Sequence, residues 1–164
     1  MKREQKCTLA LLLIYLLLLT WVILFKLQIP FAPLSNFRSV NWIPFAASVI
    51  INGRLHVSEI VENVLVFLPV GIYVGMLKPD WPFVQKVCPA FLLSLCYETF
   101  QYVFAIGATD VTDLISNTLG GALGVLLLGL LAKVLQDRTA RVLNRVAFVC
   151  TVLAAALFIF VSNM

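Results

Sequence analysis

The chain contains several apolar runs that are long enough to cross the hydrocarbon core of a membrane. A helical crossing takes about 20 residues, and five stretches approach or exceed this length, at residues 8–27, 58–77, 84–106, 112–132 and 143–162. The first run is almost unbroken leucine and isoleucine, without the two-residue alternation of a transmembrane β-strand. We therefore expect an all-α integral membrane protein, a bundle of about five transmembrane helices that forms a single membrane domain over residues 1–164.

Composition supports the same class, because 62% of the residues are hydrophobic and only 12% are charged. The four cysteines have no CxxC spacing and lie in or beside apolar runs, so we interpret them as small core residues, not as disulfides or zinc ligands: Cys7, Cys88, Cys96 and Cys150. The chain has no GxSxG, HExxH or P-loop motif. The motifs therefore leave open whether it is an enzyme.

The distribution of lysine and arginine predicts the orientation, because these residues accumulate in cytoplasmic loops. With the N-terminus inside, nine of them lie in inner segments: Lys2, Arg3, Lys6, Lys78, Lys86, Lys133, Arg138, Arg141 and Arg145. Only Lys26, Arg38 and Arg54 lie in outer segments. Five crossings then place the C-terminus outside. The net charge of +4 is an orientation signal, and nothing indicates a nucleic-acid partner.

The segment at residues 28–57, between the first two spans, is rich in proline and aromatic residues. This composition favours the headgroup zone of the membrane, so we expect an interfacial or a re-entrant excursion that could act as a lid. Asn41, Pro44 and Phe45 would support a site there. Arg38, Arg54 and His56 would be the available counter-ions for nearby acids.

Three spans carry an acid and an amide near their predicted outer ends. They are Glu62 with Asn63, Glu98 with Gln101 three residues later, and Asp110 and Asp113 with Asn117, which share one helical face. Membrane insertion of an acid costs about 2.5–3.5 kcal/mol, so such groups mark functional sites by default. We expect the carboxyl groups of Glu62, Glu98 and Asp113 to meet in one outer cavity.

Simpler interpretations exist for parts of this pattern. Glu59 and Asp110 lie where a carboxylate can cap a helix N-terminus. Carboxylates and amides could hold Mg²⁺ or Ca²⁺, but the spacing requires no metal, and we predict no metal site and no particular cofactor.

Ser116, Gly120 and Gly124 form a small-xxx-small line, which predicts close approach of another helix within the bundle or in an oligomer.

Four motifs resemble those of the VanZ-like membrane proteins, over about residues 35 to 130. In chain order they are Asn41-x-x-Pro44-Phe45, Glu62-Asn63-x3-Phe67-x-Pro69-x-Gly71, Glu98-x-x-Gln101 and Asp110-x-x-Asp113-x3-Asn117-x-x-Gly120-x3-Gly124. Many members have an arginine shortly before the first aspartate, where this chain has Gly107-Ala108-Thr109. That variant resembles the teicoplanin-resistance branch of the family.

The resemblance implies a bacterial membrane protein that confers low-level resistance to teicoplanin and related lipoglycopeptides. Its site would face the cell-wall side, and its partners would be membrane lipids together with the antibiotic or a lipid-linked cell-wall precursor. Two alternatives stay open: an enzyme that uses the acids on a lipid-linked or cell-wall substrate, and a small proton-coupled transporter. The inner halves of the spans have few polar residues, which argues against a transport path in a monomer.

Overall fold

The computed structural model describes residues 3–25, 39–45, 57–105 and 108–162. Within these residues the chain forms five α-helices: α1 (Arg3–Phe25), α2 (Ser58–Leu77), α3 (Phe83–Phe104), α4 (Val111–Leu135) and α5 (Thr139–Ser162). They correspond to the five predicted helices, and the largest difference is at the start of α1, which begins five residues earlier than residue 8. The predicted all-α membrane fold is confirmed.

Among the described residues, four helical segments are long and apolar enough to cross a membrane: Arg3–Leu24, Ser58–Leu77, Phe83–Phe104 and Val111–Ala156. The last is 46 residues long and contains α4 and much of α5. A 3₁₀ turn at Gln136–Arg138 interrupts it, and Gln136 has a left-handed backbone with φ 48°. Because one crossing takes about 20 residues, this segment has the length for two.

Helix α4 packs closely against α2 through small residues. A methyl group on Gly120 would overlap the carbonyl oxygen of Val64, and one on Gly124 would overlap that of Leu68. On α2, Gly71 meets the backbone of Gly121 in the same way. The small-residue line therefore serves a helix contact within the chain, as predicted, while its use in an oligomer stays a prediction.

Helix α1 attaches to the other helices through hydroxyl groups. The Tyr15 hydroxyl donates to the Val66 carbonyl of α2, and Thr20 shares a hydrogen bond of 2.8 Å with Tyr97 of α3. Near the other end of α1, Thr8 Oγ1 donates to Asn144 Oδ1 of α5 at 3.0 Å. Helix α5 therefore starts beside the N-terminal half of α1.

The interpretation of the four cysteines as core residues is wrong, although their thiols are free as expected. Cys7, Cys88, Cys96 and Cys150 are all exposed on the surface of the chain. In a membrane protein the outer helix faces are as apolar as the interior, because they face lipid. An apolar sequence context therefore does not distinguish core from surface in this class.

A short parallel pairing of β1 (Ser39–Asn41) with β2 (Ala108–Asp110) was not predicted. It joins the segment before α2 to the residues that lead into α4. Most of the segment 28–57 lies outside the described residues, so its interfacial or re-entrant nature stays a prediction. The strand pair lies at the bundle end formed by the start of α4 and the end of α3, and it positions the polar groups described next.

Candidate functional site

Asp110 lies at the centre of a polar network at this end of the bundle. Its Oδ1 accepts from the backbone N–H of Thr112 at 2.7 Å, so it caps α4 as the simpler interpretation proposed. Its Oδ2 accepts from Asn41 Nδ2 at 3.0 Å. Its own backbone N–H donates to Glu98 Oε2 at 3.0 Å. One residue thus joins β1, α3 and α4.

Glu98 is only 6% exposed and holds β2 against α3. Besides its side-chain bond to Asp110, its carbonyl oxygen accepts from Thr109 Oγ1 at 3.2 Å. The carboxyl groups of Asp110 and Asp113 are close enough for their charges to act on it. A buried carboxylate among other acids is costly unless donors face it. Here the Asp110 amide is one such donor.

Asp113 connects α4 to α2, because its Oδ1 accepts from Asn63 Nδ2 at 2.7 Å. Glu62 is exposed, and its side chain forms no hydrogen bond or ion pair with the other described residues. The expectation that the carboxyl groups of Glu62, Glu98 and Asp113 meet in one outer cavity therefore stays a prediction for Glu62. Glu62 lies in the second turn of α2, where a carboxylate near a helix end can stay hydrated, and the adjacent Asn63 takes the inward position.

Two buried amides lie close to these acids, and the structure separates their roles. Asn117 is 3% exposed, its Nδ2 donates to Ser94 Oγ at 2.9 Å, and its Oδ1 is buried without a partner among the described residues. Gln101 instead reaches α1, where its Nε2 donates to the Ile23 carbonyl at 3.4 Å. Glu98 and Gln101, which the spacing predicted as a pair, therefore contact different elements: Glu98 contacts β2, and Gln101 contacts α1.

A tight turn after β1 completes the network and presents apolar side chains. Ile43 N–H donates to Asn41 Oδ1 at 3.2 Å, and Phe45 N–H donates to Thr112 Oγ1 at 2.9 Å. Phe45 has φ 65°, a conformation that costs energy for a bulky residue. Trp42 (76% exposed) and Pro44 extend from this turn. Asn41 and Thr112 thus fix the shape of a surface beside the acids.

Sequence reasoning missed the hydroxyl and small polar residues of the network, namely Ser94, Thr109 and Thr112. Ser94 is four residues before Glu98, and this helical spacing is the signal that could have identified it. Arg38, Arg54 and His56 lie outside the described residues, so their role as counter-ions stays a prediction. Among the described residues, no group of three or more His, Cys, Asp and Glu is placed to hold a metal ion.

Comparison of the whole sequence with known proteins identifies a family. The family model VanZ/LLP1 matches residues 12–133, about three quarters of the chain. This chain belongs to the VanZ/LLP1 family. It is 40% identical over 130 residues to protein VanZ of Enterococcus faecium, a match that covers 78% of this chain and 77% of that protein. No solved structure is significantly similar to it.

The VanZ/LLP1 match begins earlier than the motifs at 35 to 130 and includes much of α1. It contains every residue of the network described above, from Asn41 to Asn117, whereas α5 lies beyond it. Together with the apolar helices, the relationship identifies a bacterial membrane protein. The polar network is therefore part of the region that this chain shares with the VanZ/LLP1 family.

Proposed function

We propose that this protein confers low-level resistance to teicoplanin-type lipoglycopeptides through an outward-facing polar site that acts on the antibiotic or on a cell-envelope component. The observation that carries the proposal is the cluster of hydrogen bonds at this end of the bundle. Asn41 of β1 and Glu98 of α3 bind Asp110 at the start of α4, and one turn further along α4 Asp113 binds Asn63 of α2. The similarity to protein VanZ and the four sequence motifs support the link to resistance.

The outward orientation is supported by charge at the opposite end of the bundle. The connection between α2 and α3 carries Lys78, and the turn between α4 and α5 carries Arg138. Lys86 and Lys133 lie in the adjoining helix turns. Positive residues of short loops stay in the cytoplasm, so the network at the other end would face the cell-wall side.

The site offers the groups that a lipid-tailed glycopeptide or a lipid-linked precursor would need. The exposed Glu62 and the acids of the network can accept hydrogen bonds from peptide N–H groups or pair with a cationic group. Trp42 and Phe45 offer exposed apolar surface for a lipid tail on the same side. A binder that holds an amphiphile at the outer leaflet needs only this one-sided site.

A membrane enzyme is the second candidate, because Glu98 is a buried carboxyl group beside two other acids, a setting used for general acid–base catalysis. The two candidates leave different evidence. If the protein is a binder, the purified protein in vesicles should deplete free teicoplanin. An enzyme should leave altered lipid-linked or cell-wall material that mass spectrometry detects without antibiotic present. A proton-coupled transporter would instead give acid-dependent flux in vesicles.

The proposal is tested with near-isosteric variants that remove charge. Glu98→Gln and Asp113→Asn keep size and hydrogen-bonding capacity but lose the negative charge and the exchangeable proton. We expect each to abolish protection against teicoplanin in a susceptible host, at wild-type protein levels in the membrane. Asp137→Asn, an exposed acid at the opposite end, is the matched control and should protect fully. Full protection by both site variants would refute the proposal.

A further inference from the structure

A groove of about 550 Å³ lies between α3 and α4 at the end of the bundle opposite the polar network. Its walls are apolar and include Phe83 of α3 and Val125, Leu126 and Leu130 of α4. Two lysines also line it, Lys86 near the start of α3 and Lys133 in the last turn of α4. None of its lining residues is acidic. The groove thus combines positive charge at a helix end with an apolar track along α4.

Gly129 forms part of this groove and packs against no other helix in the described part of the chain. Glycine weakens a helix by about 1 kcal/mol relative to alanine, so an interior glycine usually has a reason. Gly120, Gly121 and Gly124 have one, because a side chain there would collide with α2 or α3. A methyl group on Gly129 would meet no atom of the described residues within 4 Å. What Gly129 provides is open space between two helices.

We propose that this groove is a binding site for one anionic phospholipid, with its phosphate held by Lys86 and Lys133 and an acyl chain lying over Gly129. From Val125 to Lys133 the helix rises about 12 Å, enough to guide part of an acyl chain. The end of the bundle that carries these lysines is the one that the charge distribution assigns to the cytoplasmic leaflet. Basic pockets between transmembrane helices on that side suit anionic headgroups.

The two lysines have donors available for a phosphate. Lys86 Nζ donates to the Pro79 carbonyl at 2.7 Å, which positions its ammonium group at the helix end. An ammonium group has three N–H donors, so this contact leaves two. Lys133 is exposed beside the same groove. Lys78 lies in the same region, but its Nζ is 5.3 Å from the centre of the Trp81 ring, and it does not line the groove. A substitution of Lys78 therefore serves as a control: it removes a positive charge from this end of the bundle without changing the groove.

The test is native mass spectrometry of the full chain, purified in detergent and supplied with equal amounts of phosphatidylglycerol and phosphatidylcholine. We expect wild-type protein to retain one phosphatidylglycerol in preference to phosphatidylcholine. Lys86→Gln and Lys133→Gln should each weaken that binding about five-fold, and Lys78→Gln should not. Gly129→Leu should block the lipid without lowering thermal stability, because the new side chain enters open space and leucine favours the helix more than glycine does.

Four results would overturn the inference. Equal retention of the two lipids by wild type would indicate an ordinary lipid contact without headgroup recognition. An equal loss with Lys78→Gln would indicate attraction by the overall charge of this end. Unchanged retention by Gly129→Leu would exclude the groove. Displacement of phosphatidylglycerol by inorganic phosphate at a concentration similar to that of the lipid would show that the lysines bind a free anion. The apolar part of the groove would then contribute nothing to binding.

Discussion

Asn41 and Asp110 are partners both in the backbone and through their side chains. They face each other in the register of the parallel strand pair, and Asn41 Nδ2 donates to Asp110 Oδ2 at 3.0 Å. Asp110 also caps α4, so this single contact ties the segment before α2 to the start of α4. The positions of β1 and of the start of α4 therefore both depend on one amide–carboxylate pair.

We expect a double-mutant cycle of Asn41→Ala and Asp110→Ala to give a coupling energy of about 1–2 kcal/mol, because hydrogen bonds to charged groups contribute about 1.5–3 kcal/mol and this one is partly exposed. The free energy of unfolding in detergent is the measurement. Asp110→Ala alone should cost more than Asn41→Ala, since it also removes the cap. A cycle that shows no coupling would mean that the contact adds nothing to stability.

Orientation can be decided by labelling single cysteines in intact cells. In a background without Cys7, Cys88, Cys96 and Cys150, we expect Ile43→Cys, in the exposed turn after β1, to react with a membrane-impermeant maleimide. Gln136→Cys, between α4 and α5, should react only after the membrane is permeabilised. The reverse pattern would place the polar network in the cytoplasm and would contradict a site that faces the cell wall.

The glycines of α4 provide a matched pair for testing the α2 contact. Gly120→Leu should lower thermal stability strongly, because its side chain would collide with the Val64 carbonyl and with Phe67, and overpacking typically costs about 1–3 kcal/mol. Gly129→Leu adds the same side chain to the same helix where no atom of the described residues lies within 4 Å, and it should not lower stability. Equal stability of the two variants would contradict the close packing of α2 against α4.

The sequence predicted the helices well, because length and hydropathy alone decide where a chain can cross a membrane. The helix predicted at 58–77 is Ser58–Leu77 in the structure. It also predicted that Glu98, Asp113 and Asn117 lie at buried or half-buried helix positions near one end. These features depend on local periodicity, which one sequence displays directly.

The parts that the sequence did not predict depend on contacts between distant residues. The pairing of Ser39–Asn41 with Ala108–Asp110 joins segments about 70 residues apart, and strands of three residues leave no periodic signal. Glu62 and Asn63 are adjacent, so a rotation of about 100° around α2 decides which of them faces α4. The sequence identified both as polar, but that rotation is fixed by the close packing of α2 against α4, as at Gly71 and Gly121.

The last prediction asks whether the site needs the hydrogen bond between Asn63 and Asp113 or a negative charge at position 113. Exchanging the amide and the carboxylate between the two helices distinguishes these needs. Asn63→Asp alone would place two carboxylates in contact, and Asp113→Asn alone would remove the charge from α4. The double variant restores an amide–carboxylate pair with the charge moved to α2. We expect it to recover about 1–2 kcal/mol relative to the sum of the single variants.

Protection against teicoplanin should not recover in that double variant, because a functional acid must be at the position of Asp113, beside Glu98. The measurements are thermal unfolding in detergent and the minimum inhibitory concentration in a susceptible host, at matched protein levels. Full protection by the double variant would show that the site needs a hydrogen-bonded pair between α2 and α4, whichever helix carries the charge. Full protection by Asp113→Asn alone would show that this acid serves the fold only.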